Sequence, residues 1–162
     1  MPPDPRSFSK ILIVEGREDR NAIPGLIHHH FRWDQPIPFF IKAYEGVEAI
    51  LEEGALNAEI KAAHLEAPGV VVADTHAAGR YQRIQQLCSS LFPDLPTGPE
   101  PQGVIRDNKD GKRFGVWIMP DNSSNGSMET FVRGLVPESA EALWSHEAAS
   151  FPERARVRVG LP

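Results

Sequence analysis

Three apolar runs in this chain are continuous rather than alternating, and each stops at an acid. Lys10-Ile-Leu-Ile-Val14 ends at Glu15-Gly16, Gly69-Val-Val-Val72-Ala73 ends at Asp74, and Phe114 to Met119 ends at Pro120-Asp121-Asn122. A strand that is apolar on both faces must be covered on both faces, the situation of a parallel sheet with crossover helices. The segments between the runs carry helical periodicity. Arg17 to Phe31 repeats Ile23, Leu26 and Ile27, with Pro24 inside it, so a kinked or late-starting helix is expected. Gly46 to about Leu65 repeats Val47, Ile50, Leu51, Leu56 and Ile60, with Gly54 expected to divide it into two helices. Arg80 to Leu91 repeats Ile84, Leu87 and Leu91, and Ile37 to Tyr44 is a further strand-like run. Strand and helix alternate, which specifies an α/β fold with right-handed crossovers.

The second half departs from that alternation. Gly103-Val-Ile105 and Phe114 to Met119 flank the polar turn Asp107-Asn-Lys-Asp-Gly111, the pattern of an antiparallel hairpin. Pro93 to Pro101 holds four prolines in nine residues and reads as a stiff connector. Ser127 to Val136 and Glu138 to Ala149 read as short helices separated by Pro137. The expected organisation is a loose, disordered arm over 1–9, one domain over 10–149, and an irregular basic tail over 150–162. The expected sheet is mostly parallel, with four or five strands and helices on both faces.

Composition narrows the class further. A chain of 162 residues with 41% hydrophobic and 24% charged residues can bury one sizeable core. The first residues, Met-Pro-Pro-Asp-Pro-Arg, lack the apolar stretch of a secretory leader, and no run approaches a membrane span. Cys88 is the single cysteine and has no internal disulfide partner, so a reducing, cytoplasmic setting is expected. The net charge of -5 argues against a broad basic nucleic-acid surface. It leaves room for a nucleic acid held through bound cations.

In α/β sheets ligands bind beyond the carboxyl ends of the strands. Glu15, Asp74 and Asp121 are all expected at such ends. Like charges brought together raise each other's pKa, and a cation relieves the repulsion. Carboxylates together with water suit Mg²⁺, which acts alongside substrate phosphates.

These same segments carry a family resemblance. Ile13-Val14-Glu15-Gly16-Arg17-Glu18-Asp19 resembles the first motif of Toprim domains, found in primases, type II and IA topoisomerases and OLD-type nucleases. Val70-Val71-Val72-Ala73-Asp74-Thr75-His76 stands where those domains carry Asp-x-Asp. The chain also looks like an uncharacterised bacterial Toprim-like family. The matching segments are Asp74-Thr-His-Ala-Ala-Gly-Arg80-Tyr81-Gln82, Gly115-Val-Trp-Ile-Met-Pro-Asp-Asn122 and Gly126-Ser-Met-Glu129. The resemblance spans about residues 10–149. It implies Mg²⁺- or Mn²⁺-dependent phosphodiester chemistry of nuclease type, with Glu15 as general acid/base and Asp74 as a metal ligand. It also implies a nucleic acid partner reached through metal-bridged phosphates.

Alignment through Arg80 puts Val72 at the first aspartate, while an alternative register pairs Asp74 with His76. Either way the site is one carboxylate short, which Asp121 and Glu129 are candidates to supply. Arg80 is a candidate phosphate contact or a structural partner of Asp74 or Asp19. Asn122, in the polar loop beside Asp121, is a candidate substrate contact. The alternative is a degenerate, non-catalytic module that binds nucleic acid or a protein partner. Response-regulator receivers share the opening strand. They need paired acids directly after it and a lysine closing the last strand, and neither is present here.

Other residues read as structural. Three consecutive histidines, His28 to His30, diverge by about 100° each on a helix and cannot share one ion. Cys88, beside Leu87 and Leu91, reads as a buried thiol, and Trp117 as core. No glycine-rich phosphate loop is present.

Overall fold

The apolar runs do become the centre of a sheet. The structure, a computed structural model, describes residues 4–32, 35–62, 64–73 and 77–135. Five strands are present: β1 (Lys10–Val14), β2 (Phe40–Ala43), β3 (Ala67–Ala73), β4 (Val104–Asp107) and β5 (Arg113–Met119). Five helices accompany them: α1 (Arg17–Phe31), α2 (Val47–Ile50), α3 (Ala55–Lys61), α4 (Ala77–Cys88) and α5 (Met128–Gly134). The sheet order is β2-β1-β3-β5-β4. Only β4, paired with β5 in the expected hairpin, runs antiparallel.

Each central strand divides its side chains between two cores. Ile11 and Ile13 of β1, and Phe114, Val116 and Ile118 of β5, pack with α2, α3 and α4. Leu12 and Val14, with Trp117 and Met119, pack with α1 and α5. Helices therefore cover both faces, which is why these runs are continuously apolar. The β1-to-β2 crossover moves one way along the sheet and uses the α1 face. The β2-to-β3 and β3-to-β5 crossovers move the other way and use the opposite face. Opposite directions on opposite faces keep a single crossover hand. The chain departs from β1 and from β3 in opposite directions, so the topological switch point lies between their carboxyl ends.

Several boundaries differ from the sequence reading. Helix α1 does not start late. Gly16 N–H donates to Asp19 Oδ2 at 2.9 Å, the one half of a capping box open to a glycine, and this fixes the first turn well before Pro24. Strand β2 starts only at Phe40, because Pro36 and Pro38 cannot donate to a ladder. Gly54, at φ +88°, separates α2 from α3 as expected. Residues 4–9 are not a loose arm. They hold a 3-10 turn (Pro5–Ser7) capped by Asp4, Phe8 packs on Phe40, and the Ser9 carbonyl accepts from Glu66 N. The expected helix over Glu138 to Ala149 and the tail over 150–162 lie outside the described residues.

The proline-rich connector is tied to α4. Tyr81, 1% exposed, donates its hydroxyl to the Pro96 carbonyl at 3.1 Å, and Gln85 Nε2 donates to the same oxygen at 2.9 Å. Burial pushes the Tyr81 pKa up to about 12. Burial likewise pushes the Cys88 thiol up to about 12, as befits an inert core residue. The Lys112 ammonium donates to the Ile60 and Ala62 carbonyls at 3.0 and 2.7 Å, closing the C-terminus of α3 from the hairpin turn. Edge strand β2 is held by Lys42, which pairs with Glu59 of α3. The Tyr44 hydroxyl donates to the same carboxylate oxygen at 3.0 Å. Burial, the largest single influence, would lower the Lys42 pKa, but the Glu59 hydrogen bond and charge together with Tyr44 outweigh it and raise it. A lysine held in its charged form in this way is a structural tie rather than a nucleophile.

Candidate functional site

At the carboxyl edge, β1 delivers Glu15, β2 leads into α2, β3 stops at Ala73, and β5 leads into Asp121. Glu15 is half-buried, and its carbonyl accepts from Gly46 N at 3.0 Å, which ties the ends of β1 and β2 together. Ile13 pairs with Val70 and Val72 with Ile118. Continuing the first register sets residue 72 level with Glu15. Asp74 and His76, the expected metal ligands after β3, lie outside the described residues.

Glu15 and Asp121 therefore share one edge of the sheet, but Asp121 does not face a common centre. Two strand spacings, roughly 10 Å, separate β1 from β5. Both carboxylate oxygens of Asp121 are engaged by its own loop. Oδ1 accepts from Ser123 N at 3.0 Å and Ser124 N at 2.6 Å, and Oδ2 from Ser124 Oγ at 3.0 Å. Those backbone donors, from Ser124 and then Ser123, hold its pKa at about 2. In the structure these bonds make Asp121 the organiser of the loop between β5 and α5.

Asn122 likewise serves the local turn. It is 3% exposed, at φ +63°, and is no substrate contact. Strand β4 starts at Val104, opposite Val116, so Ile118 lies beyond its reach. Asn122 takes the place of the missing strand. Its Oδ1 accepts from Ile118 N at 2.7 Å, its own N–H donates to Ile118 O at 2.8 Å, and Nδ2 reaches the Pro101 carbonyl at 3.4 Å. The turn it fixes follows the cis bond between Met119 and Pro120 and aims the loop toward α5. Gly126 closes that loop tightly: a Cβ there would lie 3.0 Å from both Pro120 Cδ and Thr130 Cβ.

Helices α1 and α5 cover the same face of the sheet. Glu129 lies in the first turn of α5, capped by Ser127, and Asp19 lies in the first turn of α1. Burial raises the Asp19 pKa most, the hydrogen bond from Gly16 N–H opposes it, and the charges of Glu129 and then Glu18 add smaller rises. Glu129 is itself held below the usual carboxylate range by hydrogen bonds from Ser127 and from its own backbone N–H, so the repulsion falls on Asp19. Asp19 thus feels the charge of Glu129 across the face that α1 and α5 share. The sequence analysis named Asp19 only within the charged helix start of the first motif and as a structural partner for Arg80.

Arg80 sits one turn into α4, and its Nη1 lies 2.7 Å from Glu48 Oε1 of α2. Glu48 is a partner that the sequence reading did not single out. Among the described residues no group of three or more histidine, cysteine, aspartate or glutamate side chains is gathered closely enough to hold a metal by itself. His28 and His29 are exposed on α1.

The sheet order, the helices on both faces and the acids at the switch point define an α/β protein with a polar carboxyl-edge site. Over residues 9–155 the chain matches the model of a family described as proteins of unknown function (DUF3226), and it belongs to that family. No curated protein and no solved structure matches it. Among the described residues, no helix is long and apolar enough to cross a membrane.

Proposed function

We propose that the protein is a divalent-metal-dependent phosphodiester enzyme of nuclease type, built on a Toprim-like domain. The observation that carries this reading is the placement of acids: Glu15 stands directly after β1 at the switch point of the sheet, Asp19 lies in the first turn of the helix that follows it, and Glu129 opens α5 on the same face as α1. Acids gathered at one edge of a sheet are relieved of their mutual repulsion by a cation. The donors are oxygens only, which suits Mg²⁺ or Mn²⁺ rather than a softer ion. Asp19 and Glu129 would hold the ion, with Asp74 joining them on the strength of the Toprim resemblance. When bound, such an ion neutralises phosphoryl oxygens and favours an activated water.

Glu15 takes the proton-transfer role, at the end of a strand whose backbone is anchored to Gly46. Its carboxylate accepts a proton from the nucleophile or returns one to the leaving oxygen. The Asp121 loop and the Asn122 turn hold α5, and with it Glu129, in position.

The test is cleavage of end-labelled single- and double-stranded DNA and RNA in Mg²⁺ and in Mn²⁺. Wild type should cleave at least one of these substrates. Glu15→Gln, nearly isosteric, should fold normally and lose roughly 10²-fold or more of the rate. Equal rates for the two proteins would remove Glu15 from the chemistry. No cleavage by wild type of any substrate would turn the reading to a non-catalytic module that binds nucleic acid or a protein.

A further inference from the structure

The face of the sheet that α1 and α5 share carries a shallow trough. The register sets Leu12 of β1, Gly69 of β3, Gly115 of β5 and Ile105 of β4 in one row across four strands. Their strand neighbours Ile13, Val70, Val116 and Val104 belong to the core under α2, α3 and α4, so the row itself faces the other side. The two glycines form the floor. A Cβ at Gly115 would lie 3.8 Å from Val104 O and 3.9 Å from Ile105 Cγ1, and one at Gly69 would lie 3.5 Å from Leu12 Cδ1, all atoms of the sheet rather than of a helix. Trp117 walls the trough toward the carboxyl edge, its ring so near Gly103 that a Cβ there would lie 3.1 Å from Cε3. The exposed Asp107–Arg113 pair bounds the amino side.

Ile105 belongs to neither core and is 61% exposed, and Leu135, directly after α5, is 47% exposed. Strands that are apolar on both faces are covered on both faces. The chain supplies a cover. Helix α5 ends on this same face at Gly134, and residues 136–162 follow it. The family match continues to residue 155, so the chain just after α5 belongs to the family's domain. Within it, the Glu138 to Ala149 segment read from sequence as a helix repeats Ala140, Trp144 and Ala148, with Leu143 alongside. That spacing gives a helix one apolar stripe. Glu147 shares the stripe, and Lys10 stands with Arg113 on the amino rim of the trough, so its one acid has cationic side chains to face.

We propose that Glu138 to Ala149 docks as a helix along this trough, with Leu143 and Trp144 filling the space over Gly69 and Gly115 and covering Ile105. Bulky side chains over glycines, and alanines against Trp117 and Ile105, give the large-against-small fit that a packed layer needs. The docked helix completes the layer that α1 and α5 begin and tethers the far end of the helix that carries Glu129. It stands independently of the nuclease reading.

The experiment is thermal unfolding of the full chain, over a range of protein concentrations, for wild type, Gly115→Val, Trp144→Ala and the double variant. On an open face, valine for glycine in a strand should hold or raise Tm. Under a docked helix it overpacks the trough, and Tm should fall by about 3–10 °C. Trp144→Ala should lower Tm by at least about 5 °C. The double variant should fall by less than the sum, because the smaller side chain makes room for the larger. Should Gly115→Val or Trp144→Ala not fold, Gly115→Ala and Leu143→Ala carry the same cycle with smaller shifts. A Tm of Gly115→Val at or above wild type overturns the docking, as does Trp144→Ala without effect or strict additivity in the double variant. A Tm that rises with protein concentration in wild type but not in Gly115→Val assigns the trough to a second copy of the chain and overturns it as well.

Discussion

Replacing Asn122 separates the two tasks this residue performs at the end of β5. Its side chain accepts from the buried Ile118 N–H at 2.7 Å, and its backbone sits at φ +63°. Asn122→Gly keeps the backbone conformation and deletes the acceptor. Leaving that N–H unsatisfied costs about 1–3 kcal/mol. Asn122→Ala deletes the same acceptor and adds about 1–2 kcal/mol for a left-handed backbone with a Cβ. Glycine carries its own chain-entropy cost of roughly 0.5–1 kcal/mol, which narrows the gap. The alanine variant should therefore be the less stable of the two by about 1 kcal/mol. For a chain of this length each kcal/mol moves Tm by about 2–4 °C. Urea titrations monitored by tryptophan fluorescence give the order directly, provided the m values agree. If both variants lie within about 0.5 kcal/mol of wild type, Asn122 does not hold the turn, and its place in the candidate site reopens as a substrate contact.

Two further outcomes follow from single contacts. Tyr81→Phe and Gln85→Ala each leave the Pro96 carbonyl one donor and should each cost about 1 kcal/mol, whereas the double variant leaves it none. Chemical denaturation should then show the double variant worse than the sum by about 1 kcal/mol or more, and strict additivity would contradict shared acceptance. Asp121 is held at about pKa 2, below its ordinary 3.8, so its contribution is fully present above about pH 4 and is lost as pH falls toward 2. The amide signals of Ser123 and Ser124 should shift through that window in wild type and stay flat in Asp121→Asn. Shifts centred near pH 4 in wild type would show that the loop does not grip the carboxylate.

The central strands were readable because burial on both faces leaves a mark that polar loops cannot imitate: Ile11 to Val14 and Phe114 to Met119 are apolar at every position that faces a core. Gly54 and the Asp107–Gly111 turn were readable because backbone conformation there is a local property. Pro24 left a kink or a late start open for the Arg17 to Phe31 stretch; the late start is removed because Asp19 accepts from Gly16 N–H at the first turn. The polar partners were the least legible. Nothing local tells Arg80 that it meets Glu48, or Asp19 that it feels the charge of Glu129. Both follow from α2 and α4 sharing one face of the sheet and α1 and α5 the other. Asp121 and Asn122 stand at the carboxyl end of β5 as expected, and the bonds they make there serve a turn, as an acid and an amide after a strand readily do.

The carboxyl-edge site stands or falls on whether it draws a divalent cation to Asp19 and Glu129. Calorimetric titration of Mn²⁺ into wild type, Asp19→Asn and Glu129→Gln, at neutral pH and low salt, measures this without requiring any substrate. Wild type should bind one ion, and each variant should bind it at least about 10-fold more weakly, since even the loss of an outer-shell partner typically costs 10–100-fold. Mn²⁺ binding of equal strength in all three proteins, or no binding in wild type, would contradict the site.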